Sequence, residues 1–405
     1  MKWMCAQIGA REHYAIPRVM HQTGRLASLV TDAWAGPVMH AVMRQLPVRS
    51  IQRWAGRYHP ELRGADVRSF NLRALRWELS LRGLGAGGRF QCYADIGKTF
   101  ALAARRELER RRKRIDAVFA YDTGALELLE AARAYGIAGV VDQIDPGPVE
   151  EQWVREERLR WPGWEPDHEP APEYYHARRR AEWAAARLVI VNSEFSRKAL
   201  VAQGVPNEKL VVLPLSFAAG MEREILRWRD PARPLKVLFL GQVILRKGIQ
   251  YLVEAARLLK DEAIEIHVVG SIGLQHEVVA AAPPTVVFHG AVARNEAERW
   301  YRDADVFVLP TISDGFALTQ LEAMAHGLPV IATSSCGEVV QPERSGLLVP
   351  ARDVQALAAA IRRFADDEAF RRHCANGALR RVEDFSPSTL ASAVAALEDR
   401  LSFCP

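Results

Sequence analysis

Between residues 236 and 332 short β-branched runs alternate with amphipathic stretches, and this alternation constrains the fold more than any other feature of the chain. Lys236–Leu240 reads as a buried strand ending at Gly241. Ile249 to Leu259 then places Leu252, Ala255, Ala256 and Leu259 on one helical face. Ile264–Val269, ending at Gly270, and Val286–Phe288, ending near Gly290, read as the next two strands. A helix over Asn295–Asp303, a strand over Val306–Leu309 closed by Pro310, a helix over Leu318–His326 and a strand over Pro329–Ala332 complete the series. Strand and helix alternating at this pitch require a parallel sheet covered by helices on both faces. Right-handed crossovers make such a unit Rossmann-like.

The first half repeats the pattern more loosely. Strands are expected over Met4–Ile8, Ala117–Ala120, Gly139–Val141, Arg187–Val191 and Lys209–Leu213, with Pro214 ending the last. Gly9-Ala10 is a tight turn before a helix over Tyr14–Thr23, and Ala125–Tyr135 is a second helix. Ser193 can cap the helix Phe195–Gln203 through its hydroxyl, and Gly204 can stop it. With 405 residues at 49% apolar composition, the chain is too long for one ordinary core. The expected division is one Rossmann-like domain over 1–215 and a second over 216–386. The linker would lie between Ser216 and Pro234, with Gly220 and Pro231 inside it. Residues 387–405 are expected to form a C-terminal helix that packs back on the first domain. Two long inserts interrupt the alternation: 37–88, rich in Arg and Trp and read as helical, and 149–183, which carries Trp153, Trp161, Trp164, Tyr174 and Tyr175. Long inserts in a compact domain are usually functional or mobile.

Several classes are excluded. No 18-residue run lacks charge or strong polarity, so no spanning helix is expected, and the N-terminal apolar run is too short for a signal peptide. The cysteines (Cys5, Cys92, Cys336, Cys374 and Cys404) are scattered without zinc spacing, which points to a reducing, cytoplasmic setting without a disulfide frame. A net charge of +5 tolerates anionic ligands, but no recognition-helix, zinc-finger or RNA-binding signature accompanies it, so no nucleic-acid partner is expected.

The most informative stretch is Asp314-Gly315-Phe316-Ala317-Leu318-Thr319-Gln320-Leu321-Glu322. A helix starting near Leu318 would aim the amides of Phe316, Ala317 and Leu318 into the crevice at the strand ends, where a diphosphate is well held. Gly315 lets the backbone come close to a ligand. Asp314 and Glu322 flank the turn. Carboxylates beside a phosphate repel it unless they face hydroxyls, so sugar or ribose hydroxyls are their natural partners. An ordinary capped turn with solvated acids fits the spacing equally well.

This stretch resembles the acid-x7-acid motif of retaining glycosyltransferases of family 4, which have the two-domain GT-B fold. The family's usual first Glu is Asp314 here, and its second Gly is Ala317. Gly241-Gln242 through Arg246-Lys247-Gly248 resembles the family's phosphate loop, with Gln242 where many members have Arg. Gly270-Ser271, Ala291-Val292 and Thr311 lie in segments similar to its base-binding loops, Gly9-Ala10 in one similar to the first-domain loop facing the donor, and Val189–Phe195 resembles its last first-domain strand and helix. The resemblance covers most of the second half and only patches of the first. It implies two Rossmann-like β/α/β domains facing across a cleft, the first for an acceptor and the second for a nucleotide-sugar donor. It implies Asp314 near the donor sugar, the Phe316–Leu318 amides on the diphosphate, Glu322 on the ribose, and Lys247, helped by Arg246, on the phosphate.

The implied reaction moves a sugar from a nucleotide-activated donor to a glycan, lipid or small-molecule hydroxyl, with retention. The departing diphosphate gains negative charge, and one cation at ~4 Å in an effective dielectric of ~20 offers about 4 kcal/mol gross. Lys247, Arg246 and a helix N-terminus can supply this, so no cofactor and no metal are expected. Asp303-Ala304-Asp305 spells an Asp-x-Asp metal motif, but entry into a buried strand would aim one acid away. Gly97-Lys98-Thr99 looks like the tail of a phosphate loop, yet Cys92 stands where its first Gly is required. Ile8-Gly9-Ala10-Arg11 lacks the GxGxxG of dinucleotide oxidoreductases. On the acceptor side, His13, Asp122 and Asp145 are candidates: His13 reads first as a solvated or capping histidine, Asp122 could orient an acceptor hydroxyl although its segment matches the family poorly, and a plain helix or loop cap fits Asp145 equally well.

The basic run Arg105–Arg114 reads as a solvated helix face. Its alternative is weak peripheral contact with an anionic membrane, each cation contributing about 1 kcal/mol, with the insert tryptophans at the interface. Three other functions compete with transfer: a nucleotide-sugar epimerase on the same architecture, a non-catalytic nucleotide-sugar-binding protein, and a peripheral membrane scaffold.

Overall fold

The computed structural model describes residues 1–46, 51, 54–81, 83–218 and 233–403. Two parallel sheets organise it. The first joins β1 (Trp3–Gln7), β2 (Leu26–Thr31), β3 (Val67–Ser69), β4 (Ala117–Tyr121), β5 (Ala138–Gln143), β6 (Leu188–Val191) and β7 (Leu210–Val212) in the order β3-β2-β1-β4-β5-β6-β7. The second joins β8 (Leu235–Leu240), β9 (Ile264–Val269), β10 (Val286–Gly290), β11 (Val306–Leu309), β12 (Val330–Ala332) and β13 (Gly346–Leu348) in the order β10-β9-β8-β11-β12-β13. Both orders reverse once, between β1 and β4 and between β8 and β11. Ligands bind beyond the carboxyl ends of strands at such a reversal. Gly9, Asp122, Gly241 and Thr311 follow those four strands.

Three strands were not legible as alternation. β13 is three residues long, and β2 opens on half-buried Leu26 and Ala27. β3 corrects the all-helical reading of 37–88. Val67, Arg68 and Ser69 pair with Leu29, Val30 and Thr31, so an edge strand sits between the helices Pro37–Arg44 and Asn71–Ser80. Its pairing partner, not its own composition, makes it a strand. Residues 219–232 of the expected linker, Gly220 and Pro231 among them, lie outside the described residues.

Two segments tie the sheets together. The helix Pro387–Phe403 returns to the first sheet, where Leu390, Val394, Leu397 and Leu401 share an apolar cluster with Trp3, Leu29 and Phe119. Trp3 Nε1 donates to Glu398 Oε1 at 2.7 Å. The helix Val149–Arg160 leaves β5 and lies on the second domain. Trp153, Trp161 and Trp164 are partly buried against that domain's core. Glu157 is fully buried there and accepts from Gln250 Nε2 (2.9 Å), Tyr251 Oη (2.7 Å) and Arg352 Nε (2.5 Å). The helix Glu173–Ala185 then carries the chain back to the first sheet.

Candidate active site

The helix Leu318–Ala325 follows β11, an interior strand of the second sheet, and starts beyond its carboxyl end. Its N-cap is Ala317, whose methyl group accepts no hydrogen bond, so its first-turn amides have no side-chain cap. The loop before it is anchored from below. Phe316 is buried edge-on to Phe385, with ring centroids 5.7 Å apart. A Cβ on Gly337 would lie 2.8 Å from the Phe316 ring. Asp314 N donates to Ser335 O at 2.8 Å. Thr311 is fully buried, and its Oγ1 donates to Arg246 O at 3.0 Å, tying this loop to the Gly241–Gly248 loop. Thr311 is therefore a strut between loops and not a group presented to a ligand. Gly248 adopts φ +77°, and a Cβ there would lie 1.8 Å from Pro310 O, so only glycine allows the two loops to touch.

Lys247 Nζ pairs with Asp314 Oδ2. Arg246 Nη1 donates to Ser313 O at 3.0 Å, stands 3.9 Å from Asp314 Oδ1, and reaches Glu150 Oε1 of the first half at 3.3 Å. Gly315 departs from its expected role. A Cβ there would lie 2.3 Å from Ile144 O and 2.8 Å from Asn192 Nδ2. The close approach that needs glycine is to the first domain, whose β5 and β6 ends press on this turn.

Beside this turn lies a cleft of about 1090 Å³. Gly241, Gln242, Gly270 and Ser271 line one wall, and Ala291 and Val292 another. Leu318 and Glu322 form its floor with Tyr301 and His326. Gly270 and Gly241 meet there backbone to backbone, a Cβ on Gly270 falling 1.6 Å from Gly241 O. Tyr301 Oη donates to Glu322 Oε2 at 2.8 Å, and His326 Nδ1 lies 2.7 Å from Glu322 O. A carbonyl only accepts, so Nδ1 carries the proton. Tyr301 and His326 stack at 5.2 Å. Neither was singled out in the sequence, because their partner is fixed only by the fold.

Across the cleft, Glu12 and His13 project from the loop after Gly9 and Ala10. Gly9 takes φ +86°, and its amide donates to Asp32 Oδ1 at 2.9 Å. Glu12, His13 and Tyr14 follow at φ 51°, 50° and 61°. Three successive non-glycine residues in the left-handed region store strain of the kind found at ligand-facing loops. Burial pushes the Glu12 carboxyl up to about 7, with Arg11 opposing.

Asp122 and Asp145 converge on Arg179. Asp122 Oδ2 lies 3.3 Å from its Nη2, and Asp145 Oδ1 pairs with the same nitrogen. Gln143 Nε2 bridges them, at 3.3 Å and 2.9 Å. Burial raises the Asp122 carboxyl, with Arg11 and Arg179 opposing. At Asp145 burial is outweighed by Arg179 and the Gly147 amide, which hold that carboxyl below its ordinary range. Arg179 and Glu150 were missed. The available signal was helical spacing: His176, Arg179, Glu182 and Trp183 share one buried face, and polar residues repeated on such a face are seldom idle.

The remaining motifs have structural explanations. Asp305 is clamped by Arg233, both carboxylate oxygens at 2.7 Å, and also accepts from Lys236 N at 2.8 Å. Gly97 sits inside the helix Ala86–Arg111, where a Cβ would lie 2.0 Å from Thr123 O, so it serves helix packing. In the basic run, Arg105 pairs with Glu109, Arg110 with Glu107, and Arg111 with Asp66. Among the described residues, no three His, Cys, Asp or Glu side chains gather as a metal site, and no helix is long and apolar enough to cross a membrane.

Comparison with known proteins bears on the family and the fold. Residues 234–367 match the family model of glycosyl transferases group 1. The chain is 30% identical over 203 residues to the amylovoran biosynthesis glycosyltransferase AmsK of Erwinia amylovora, covering 46% of this chain and 49% of that protein. It is 34% identical over 183 residues to the D-inositol 3-phosphate glycosyltransferase of Streptomyces avermitilis, covering 41% and 39%. These matches span about half the length of such relatives or less. Among solved structures, a sucrose-phosphate synthase of Thermosynechococcus elongatus superposes with TM-score 0.66 at 19% identity, over 99% of both chains. HepE of Anabaena, solved with UDP and glucose, superposes with TM-score 0.60 at 15% identity, over 98% of this chain and 99% of that one. The chain thus has the two-domain GT-B fold, and its residues 234–367 match the glycosyl transferases group 1 model.

Proposed function

We propose that the protein is a glycosyltransferase that moves a sugar from a nucleotide-activated donor to an acceptor hydroxyl, with retention and without a metal. One observation carries the reading: Glu322, the uncapped start of its helix and the Gly241 loop open on a single cleft at the strand ends of the second sheet. Glu322, oriented by Tyr301, accepts from ribose hydroxyls. The Phe316–Leu318 amides, with Lys247 and Arg246, hold the diphosphate and stabilise its charge as it leaves. Asp314 faces the sugar. The loops at 270–271 and 291–292 surround the base. The acceptor approaches from the first domain, where Asp122, Asp145 and Arg179 line the facing sheet edge. The UDP and glucose bound by the HepE structure support the donor class.

The test is thermal stabilisation against a panel of nucleoside diphosphates and nucleotide sugars, with and without chelator. A ligand at 100 times its Kd adds about 2.7 kcal/mol, which is readily measured. One base family should stabilise the protein, unaffected by chelator, and Glu322→Ala should lose both the shift and turnover. Survival of both in that variant rejects the site. Product analysis with and without acceptors separates transfer from epimerisation, which needs none.

A further inference from the structure

One buried acid has no part in this scheme. Glu150 lies in the first turn of the 149–160 helix, and its side chain is only 13% exposed. Its carboxylate holds Arg246, and Asp314 holds Lys247. The two cations assigned to the diphosphate are thus matched by two acids, and an anionic ligand meets a site with no net positive charge among these four groups. The helix cannot easily carry Glu150 away, because Glu157, two turns on, is fixed to Gln250, Tyr251 and Arg352 of the second domain.

We infer that Glu150 is a placeholder for the diphosphate: it occupies Arg246 in the empty site and surrenders it, taking one proton from solvent, when the donor binds. This rests on the proposed assignment of Arg246 to the donor diphosphate; Glu150 and Arg246 themselves line a second cavity, of about 1360 Å³, and not the 1090 Å³ cleft. The groups facing Glu150 are Arg246 and Lys247 from the 245–247 turn, Asp314 from its loop and Asp145 from beyond β5. Burial lifts its carboxyl to about 7, Asp145 and Asp314 add to this, and Arg246 and Lys247 oppose it. A phosphate on Arg246 removes that opposition and adds a negative charge, so the bound state favours the protonated acid more strongly. The sign follows. The empty site releases the proton as pH rises through about 7, the bound site retains it, and donor affinity falls with further rise, at most about tenfold per pH unit.

The experiment is calorimetric titration of the intact protein with nucleoside diphosphates between pH 8 and 9, where the ligand is fully ionised, in buffers of different ionisation enthalpy. Wild type should take up close to one proton per ligand bound. Glu150→Gln should take up none and bind about tenfold more tightly at pH 8.5. Equal affinity and equal proton uptake in the two proteins would overturn the inference. If the variant fails to fold, absence of proton uptake by wild type overturns it alone. Failure of both proteins to bind any nucleoside diphosphate rejects the donor reading itself.

Discussion

Glu322 owes its orientation to a neighbour 21 residues away. The Tyr301 hydroxyl fixes one carboxylate oxygen, and in the proposed role the other accepts from a ribose hydroxyl. Hydrogen bonds to charged groups contribute about 1.5–3 kcal/mol. Tyr301→Phe should therefore weaken nucleotide affinity by roughly tenfold while leaving the melting temperature of the unliganded protein within a few degrees, as calorimetry and thermal denaturation would show. A larger loss of stability than of affinity would make Tyr301 a core residue and nothing more. The acid positions were legible in the sequence because spacing along one helix is local. Tyr301 and His326 were not, since their meeting depends on how the helix Arg294–Asp303 packs beside the next one.

At the scale of elements, the 149–160 helix departs furthest from its place in the chain. It follows a strand of the first sheet yet packs Trp153, with Trp161 and Trp164 just beyond its end, against the core of the second domain. Glu157 is the pin. Removing one partner of a buried charge network leaves the others uncompensated, at a cost of about 3–5 kcal/mol. Glu157→Ala should lower hydrogen-exchange protection across 149–165 by orders of magnitude, with strands β1 and β4 unaffected. Uniform loss of protection over the whole chain would mean that the helix is part of one global unit. The charged residues of this insert hid its role. Only the periodic Glu150, Val154 and Glu157 hinted at a buried face, and the face had no visible partner in the sequence.

At the scale of the molecule, the two sheets meet where Gly315 touches Ile144 and Asn192, and where Glu194 N donates to Glu338 Oε2 at 3.1 Å. A methyl group at Gly315 has no room while the domains are apposed. The three atoms such a group would meet first, Ile144 O and the two Asn192 amide atoms, all belong to the first domain. Gly315→Ala should therefore hold the domains apart without unfolding either. Small-angle scattering should report a larger radius of gyration, and turnover should fall more than nucleotide affinity. Unchanged dimensions with a lowered melting temperature would place the strain inside the second domain. Under the proposed function, such apposition excludes water from the transfer step.

What the amino-acid sequence determined by itself was local: the strand–helix alternation of the second half, the turn at Asp314–Leu318, the cap at Ser193 and the apolar period of the last helix. Each is written within about ten residues, because strand and helix periods and phosphate-binding turns are short-range patterns. Tertiary structure alone decided that β3 is a strand, that Arg179 unites Asp122 with Asp145, that Glu150 reaches Arg246, and that Gly315 is a contact between domains. These pairings join residues far apart in the chain. Their energies come from burial and charge that exist only once both sheets have formed, so no local pattern records them.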